Sequence, residues 1–250
     1  INTTASSNNA AIQLISLGNN LGATHNTIKN CIITAGTAGN AIGVHIGGPT
    51  LPYSAGATNN NNKIIGNHIF RGSVGIYSGG IDTAQTDSLI ITDNIIGSDV
   101  TAENLRLYGM ALEVSKNSRI ERNIIKNIIN TAAQQAWGIA LYDGFKNGII
   151  SKNNLQNISS GSGSFGGRGI EIVSNKINEN IVVDNNFIAD MKGAGSNNLN
   201  STGTVGLSIR APGGVKLYYN SVHMPTSFGI STSSTSANYS AAFHFGNGVT

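Results

Sequence analysis

The sequence predicts an all-β fold, a right-handed parallel β-helix (solenoid) of about seven or eight coils with an internal asparagine ladder, on the strength of two repeated words and their spacing. The first word, apolar-x-x-Asn-x-apolar, stands at Ile64/Asn67/Ile69, Ile91/Asn94/Ile96, Ile120/Asn123/Ile125, Ile150/Asn153/Leu155, Val182/Asn185/Phe187 and Leu217/Asn220/Val222, with a degenerate copy at Thr27/Asn30/Ile32. Its asparagines follow one another at 37, 27, 29, 30, 32 and 35 residues, a period near 30 that is never fixed. The second word, Gly-apolar-x-apolar, precedes most of them: Gly109–Leu112, Gly138–Leu141, Gly169–Ile172 and Gly206–Ile209, more loosely at Gly75–Ser78, Ala41–Val44 and Gly229–Thr232. Both words alternate with the period of two that marks a half-buried strand, and neither has helical periodicity.

Taken in order, the chain opens on a polar stretch, and Ala11–Ile15 is expected to be the first strand. Residues 47–62, rich in Gly, Pro and Asn, read as a loop projecting from the stack. The copies are most regular from Lys63 to Asn157. Residues 159–167 and 191–204 then read as surface loops inside a single domain, 1–250, and Ala241–Phe245 as a last apolar strand. Neither end resembles a polar cap, so the segment is expected to be an excerpt of a longer stack whose partners are flanking coils or domains of the same polypeptide.

Stacking such coils at about 4.8 Å gives a rod on the order of 35–40 Å long, with equivalent positions aligned in columns. Ile64, Ile91, Ile120, Ile150, Val182 and Leu217 are expected to form one inward column, and Ile69, Ile96, Ile125, Leu155, Phe187 and Val222 another. Between them Asn30, Asn67, Asn94, Asn123, Asn153, Asn185 and Asn220 would form the structural amide ladder, each side chain donating and accepting along the stack.

Composition agrees with a fold made of turns. The chain holds 32 glycines and 34 asparagines, residues that tolerate left-handed backbone. The 15 basic and 12 acidic residues are scattered, so no nucleic-acid partner is expected, and no apolar run is long enough for membrane insertion. The single cysteine, Cys31, excludes an internal disulfide.

These words resemble the parallel β-helix repeats of the pectate-lyase-like superfamily over nearly the whole chain. Val215–Val222 (VKLYYNSV) is in addition similar to a phrase common in large secreted proteins of Bacteroidota, often exported by the type IX secretion system. The resemblance implies a secreted or cell-surface location, with secretion machinery or surface glycans as partners. The superfamily also includes polysaccharide lyases and glycoside hydrolases. The Asn-Thr-Asp, Asp-Asp, Gly-His-Gly and Arg-Ile-Lys elements of polygalacturonase-like enzymes are not in the sequence, and neither is a clustered carboxylate set for calcium. No metal and no cofactor is expected.

One face gathers reactive side chains. Glu113, Tyr142, Asp143, Glu171 and Arg210 lie on or just after successive Gly-apolar-x-apolar strands, and two carboxylates on a rigid face are the minimum for glycoside hydrolysis. The competing reading is a solvated face with incidental pairing, such as Glu171 with Arg210. Tyr108, Trp137 and Arg168 occupy equivalent positions before those strands, with Val74, Val205 and Phe228 beyond. They read either as a sugar-stacking strip or, preferentially, as an inward or corner packing column. The leading expectation is a non-enzymatic stalk, adhesin or secreted passenger. The alternatives are a lyase or hydrolase using Glu113, Glu171 and Arg210, and a carbohydrate-binding module using Tyr108, Trp137 and Tyr142.

Overall fold

The computed structural model describes residues 8–18, 21–37, 39–161, 165–177, 179–193, 198–224 and 239–246. Repeats contribute three strands, or four where a short extra pair forms, and all of the inter-strand ladders are parallel, so the chain is a β-solenoid. Seven short strands, from Thr27–Lys29 to Val215–Tyr218, make one sheet. A second sheet has 15 strands and joins two columns, and Thr86–Asp87 pairs with Ser115–Lys116 in a small third sheet. One column is the long strands Ala10–Ile15, Ile42–Gly47, Gly72–Gly79, Leu105–Glu113, Ala136–Leu141, Gly167–Val173, Thr204–Arg210 and Ser240–Phe245; the other runs from Ile32–Thr34 to Ser221–His223. A 3-10 turn at Thr101–Glu103 is the helical element of the described residues.

The core is a set of aliphatic columns fixed by register. Ile64 pairs with Ile91, Ile91 with Ile120 and Ile120 with Ile150, all fully buried. Glycine in the second word has a steric cause. A Cβ on Gly75 would come within 2.5 Å of the Gly109 carbonyl oxygen, on Gly109 within 2.6 Å of that of Gly138, and on Gly138 within 2.7 Å of that of Gly169. The same crowding at Gly43 puts it in this column, because Ile42 pairs with Val74 and Val44 with Ile76. The loose word at Ala41–Val44 is thus two residues out of register. The word at Gly229 and the residue Phe228 lie outside the described residues, and the strand next to Thr204–Arg210 is Ser240–Phe245.

The asparagine ladder is built, with two corrections. From Asn94 on, each rung accepts from the backbone N–H and the side-chain amide of the rung before it, and each asparagine rung donates to a core-strand carbonyl. Asn67 Nδ2 lies 3.0 Å from Asn94 Oδ1, and Asn94 Nδ2 lies 2.9 Å from Asn123 Oδ1. Asn123 and Asn153 continue the series at 3.0 Å. The next rung is Asn186, not Asn185, and it donates to Asn220 at 2.9 Å. Asn185 is exposed at φ +54° and bonds its own neighbour Asp184. Asn30 is likewise exposed at φ +55°, and the rung position belongs to Cys31, whose backbone N–H donates to Asn67 Oδ1 at 3.0 Å.

The physical reason is that the turn needs a left-handed residue immediately before each rung. Gly66, Asp93, Arg122, Lys152 and Tyr219 supply it in the other coils. Asn suits that position as well as it suits the rung. The inward columns shift accordingly: Ile28, Ile33, Val183 and Ile188 are buried, whereas Ile32 and Phe187 are exposed and Val182 is half-buried.

Residues 47–62 do not project from the stack. Gly48 N–H donates to Ser54 O at 2.8 Å, Gly56 N–H to Gly79 O at 2.9 Å, and Asn59 Nδ2 to Gly47 O at 3.1 Å, which folds the insertion back over the long strands.

Candidate functional site

The outward face of the long strands carries the candidate residues, and register decides their neighbours. Tyr108 pairs with Trp137 and Trp137 with Arg168; Ala111 pairs with Ala140, Ala140 with Glu171 and Glu171 with Ser208. Side chains in one column are therefore about 4.8 Å apart and meet one another before they meet solvent.

Glu171 is the hub, buried to 2% exposure beside the fully buried Arg168. Its Oε2 accepts from Trp137 Nε1 at 2.5 Å. Its Oε1 accepts from Arg168 Nη1, and from Arg210 Nε and Nη2 at 3.2 and 3.0 Å. Arg168 Nη2 reaches the Leu199 carbonyl at 2.5 Å, so the 198–203 loop closes over the pair. Burial holds the Arg168 guanidinium below its ordinary pKa, against the opposing pull of Glu171. Ser208 Oγ sits 3.2 Å from His244 Nδ1. Burial lowers the imidazole pKa of His244, helped by Arg168 and Arg210.

Glu113 belongs to a different cluster. It accepts a short hydrogen bond from Tyr77, whose ring stacks on His45 at 5.3 Å and 22° and meets Tyr53 at 5.3 Å. Burial, then the Glu113 hydrogen bond, raises the Tyr77 pKa, and burial pushes that of Tyr53 up to about 12. His45 is fully buried with neither ring nitrogen hydrogen-bonded, and burial lowers its pKa to about 4.

Glu113 and Glu171 are not brought together. They are separated by two coils and by two residues along the strand, which places their Cα atoms about 12 Å apart. Retaining and inverting hydrolases hold their carboxyl groups at about 5–5.5 and 6.5–9.5 Å. Here Tyr77 and the Arg168–Arg210 pair hold the two carboxylates in separate clusters. Asp143 Oδ1 caps the Asn175 N–H at 2.7 Å in the following turn, away from both.

Tyr108, Trp137 and Arg168 form neither an inward column nor an open platform. Tyr108 and Tyr142 pack on an outer apolar cluster of Ile42, Val74, Tyr77 and Ala111, separate from the main core. The Tyr108 and Trp137 rings stack on each other at 4.6 Å and 14°, so these facing surfaces are closed to a sugar. Tyr142 Oη lies 3.1 Å from Tyr108 Oη. Burial raises the pKa of both phenols. The sequence puts Tyr77 at the outward position of the strand word, in the column of Glu171, without marking it as a site residue; His45 joins that column once Gly43 is aligned with Gly75, and Tyr53 carries no repeat signal.

Among the described residues no group of three His, Cys, Asp or Glu is placed to hold a metal, and no helix is long and apolar enough to cross a membrane. Comparison with known proteins found no matching family model, no similar curated protein and no similar solved structure.

Proposed function

We propose that this chain is a non-enzymatic β-helix segment of a large extracellular or cell-surface protein, serving as stalk, adhesin or secreted passenger. One observation carries the reading: the two candidate carboxylates of the long-strand face, Glu113 and Glu171, are committed to Tyr77, Trp137 and Arg210 of neighbouring coils, which makes that face a brace between coils. The Val215–Val222 phrase supports a Bacteroidota-type secreted protein exported by the type IX system, with surface glycans or the secretion machinery as partners. The test is a depolymerisation assay of the wild-type chain on a panel of neutral and acidic polysaccharides, read by new reducing ends and unsaturated products. No product above the blank is expected. Product formation that disappears in Glu113→Gln with the melting curve retained, or in Glu171→Gln assayed well below that variant's own melting midpoint, would replace the rod with a lyase or hydrolase.

A further inference from the structure

A groove lies along the turns that lead into the long strands, away from the Glu171 hub. One part, of about 240 Å³, is lined by Thr37, Arg71, Thr101, Asn104, Arg106 and Thr131 among others. A second, of about 110 Å³, shares Arg106 and Thr131 and continues to Gln134. The lining comes from four successive repeats, so the groove runs along the solenoid axis for roughly three coil spacings, about 14 Å.

Arg106 is placed there by a break in register. Leu105 pairs with Gly72 and Tyr108 with Val74, so Arg106 and Leu107 together face the single residue Ser73. Such a bulge bends its strand and re-aims a side chain. The released guanidinium is anchored through Nη2, which donates to the Gly39 carbonyl and to Ser73 Oγ at 2.8 Å. Its Nε is buried without a partner, and among the described residues Nη1 carries no hydrogen bond. Arg71 is braced through Nε on the Ala35 carbonyl at 3.2 Å. No carboxylate lines either part among the described residues; Glu103, the nearest in sequence, turns its carboxylate to Ser98 Oγ at 2.7 Å.

We propose that this groove binds a tetrahedral oxyanion, a sulfate or phosphate ester, carried on a saccharide. The cationic character calls for an anion. With Nη2 and Nε engaged or buried, Arg106 has only Nη1 to offer. The parallel two-bond fork that suits a planar carboxylate is therefore closed, and an oxyanion taking single donors from several sides fits better. Threonine hydroxyls and asparagine and glutamine amides both donate and accept, which matches sugar hydroxyls. An acidic peptide is disfavoured because the strands under the groove are already paired coil to coil and offer no edge for main-chain pairing.

The experiment is calorimetric titration of the whole chain with a sulfated oligosaccharide, the same oligosaccharide desulfated, a phosphorylated oligosaccharide, a uronate oligosaccharide and a poly-glutamate peptide. The sulfated or phosphorylated probe should bind at least tenfold more tightly than the desulfated, uronate and peptide probes, and the tighter of the two identifies the ester. Arg106→Gln should lose at least tenfold. Because Arg106 also anchors two turns, Thr131→Asp is the second variant: Thr131 is exposed, and its carboxylate would repel the oxyanion with the melting temperature unchanged. No binding of either ester, equal binding of uronate or poly-glutamate, or undiminished binding by Thr131→Asp would overturn the assignment. None of these results bears on the depolymerisation assay, so the two proposals fail separately.

Discussion

Two adjacent asparagines give the sharpest test of the ladder. Asn186 is 1% exposed; its Oδ1 accepts from Asn153 N–H and Asn153 Nδ2, each at 3.0 Å, and its Nδ2 donates to Ile150 O at 2.9 Å. Asn186→Ala removes a partner from each of these three buried groups at once. At about 1 kcal/mol apiece, the typical net worth of a hydrogen bond, the loss is about 3 kcal/mol. For a domain of this size that lowers the melting midpoint by about 6–12 °C. Asn185 is exposed and left-handed, its side chain bonds its neighbour Asp184, and its backbone bond to the Tyr218 carbonyl survives substitution, so Asn185→Gly, which keeps the left-handed backbone free of strain, should stay within about 0.5 kcal/mol of wild type. Circular dichroism melts and urea titrations of both variants measure the contrast. Equal losses, or a larger loss at 185, would refute the placement of the rung.

Gly138→Ala should destabilise by about 3 kcal/mol or more, because the added methyl would sit 2.6 Å from Leu155 Cδ2 and Ile158 Cδ1 and 2.7 Å from the Gly169 carbonyl. A urea midpoint equal to wild type would contradict the close approach. Glu171→Gln should lower stability by about 3 kcal/mol, since it leaves the buried Arg168 cation without its counter-charge; Glu171→Gln combined with Arg168→Met should recover part of that loss, and a simple sum of the two single losses would count against direct pairing. His45 predicts an acid-sensitive fold. Its pKa is lowered in the folded state from 6.5 to about 4, so between those values the unfolded chain binds the proton and the native chain does not. Stability therefore falls as the pH drops from about 6.5 to about 4, by up to about 3 kcal/mol. His45→Gln should flatten that stretch of the pH–stability curve, and an unchanged slope would remove His45 as its source.

Much of the fold was legible because a solenoid repeats its contacts in sequence: a residue that packs on its counterpart in the next coil leaves the same letter about 30 positions later. The ladder was misread at Asn30 and Asn185 for a local reason. The left-handed position and the rung are adjacent and select the same residue type, so Asn185–Asn186 satisfies either alignment, and Val182–Val183 offers no tie-break. Columns on the outer face are legible too: Tyr108, Trp137 and Arg168 align in the sequence as they pair in the sheet. Their environment was not, since the closure over Arg168 comes from Leu199, a residue with no repeat word to place it. The groove was missed because Arg106 belongs to no column. Its signal was a count: Leu105-Arg106-Leu107-Tyr108 holds one residue more than Gly72-Ser73-Val74.

That extra residue separates two kinds of polar side chain on this molecule. Where the register is unbroken, an outward residue has a counterpart about 4.8 Å above and below it, and charged or aromatic groups find partners within the stack. Tyr77 takes Glu113, Trp137 and Arg210 take Glu171, and Tyr108 takes Trp137 and Tyr142. Such columns stiffen the rod and resist being read as active sites, however reactive their members are as amino acids. Where the register breaks, the side chain leaves its column and must be satisfied by turns or by something from outside. At Arg106 the turns supply two acceptors to one terminal nitrogen and, among the described residues, none to the other, so the irregular corner holds a donor that a ligand could use.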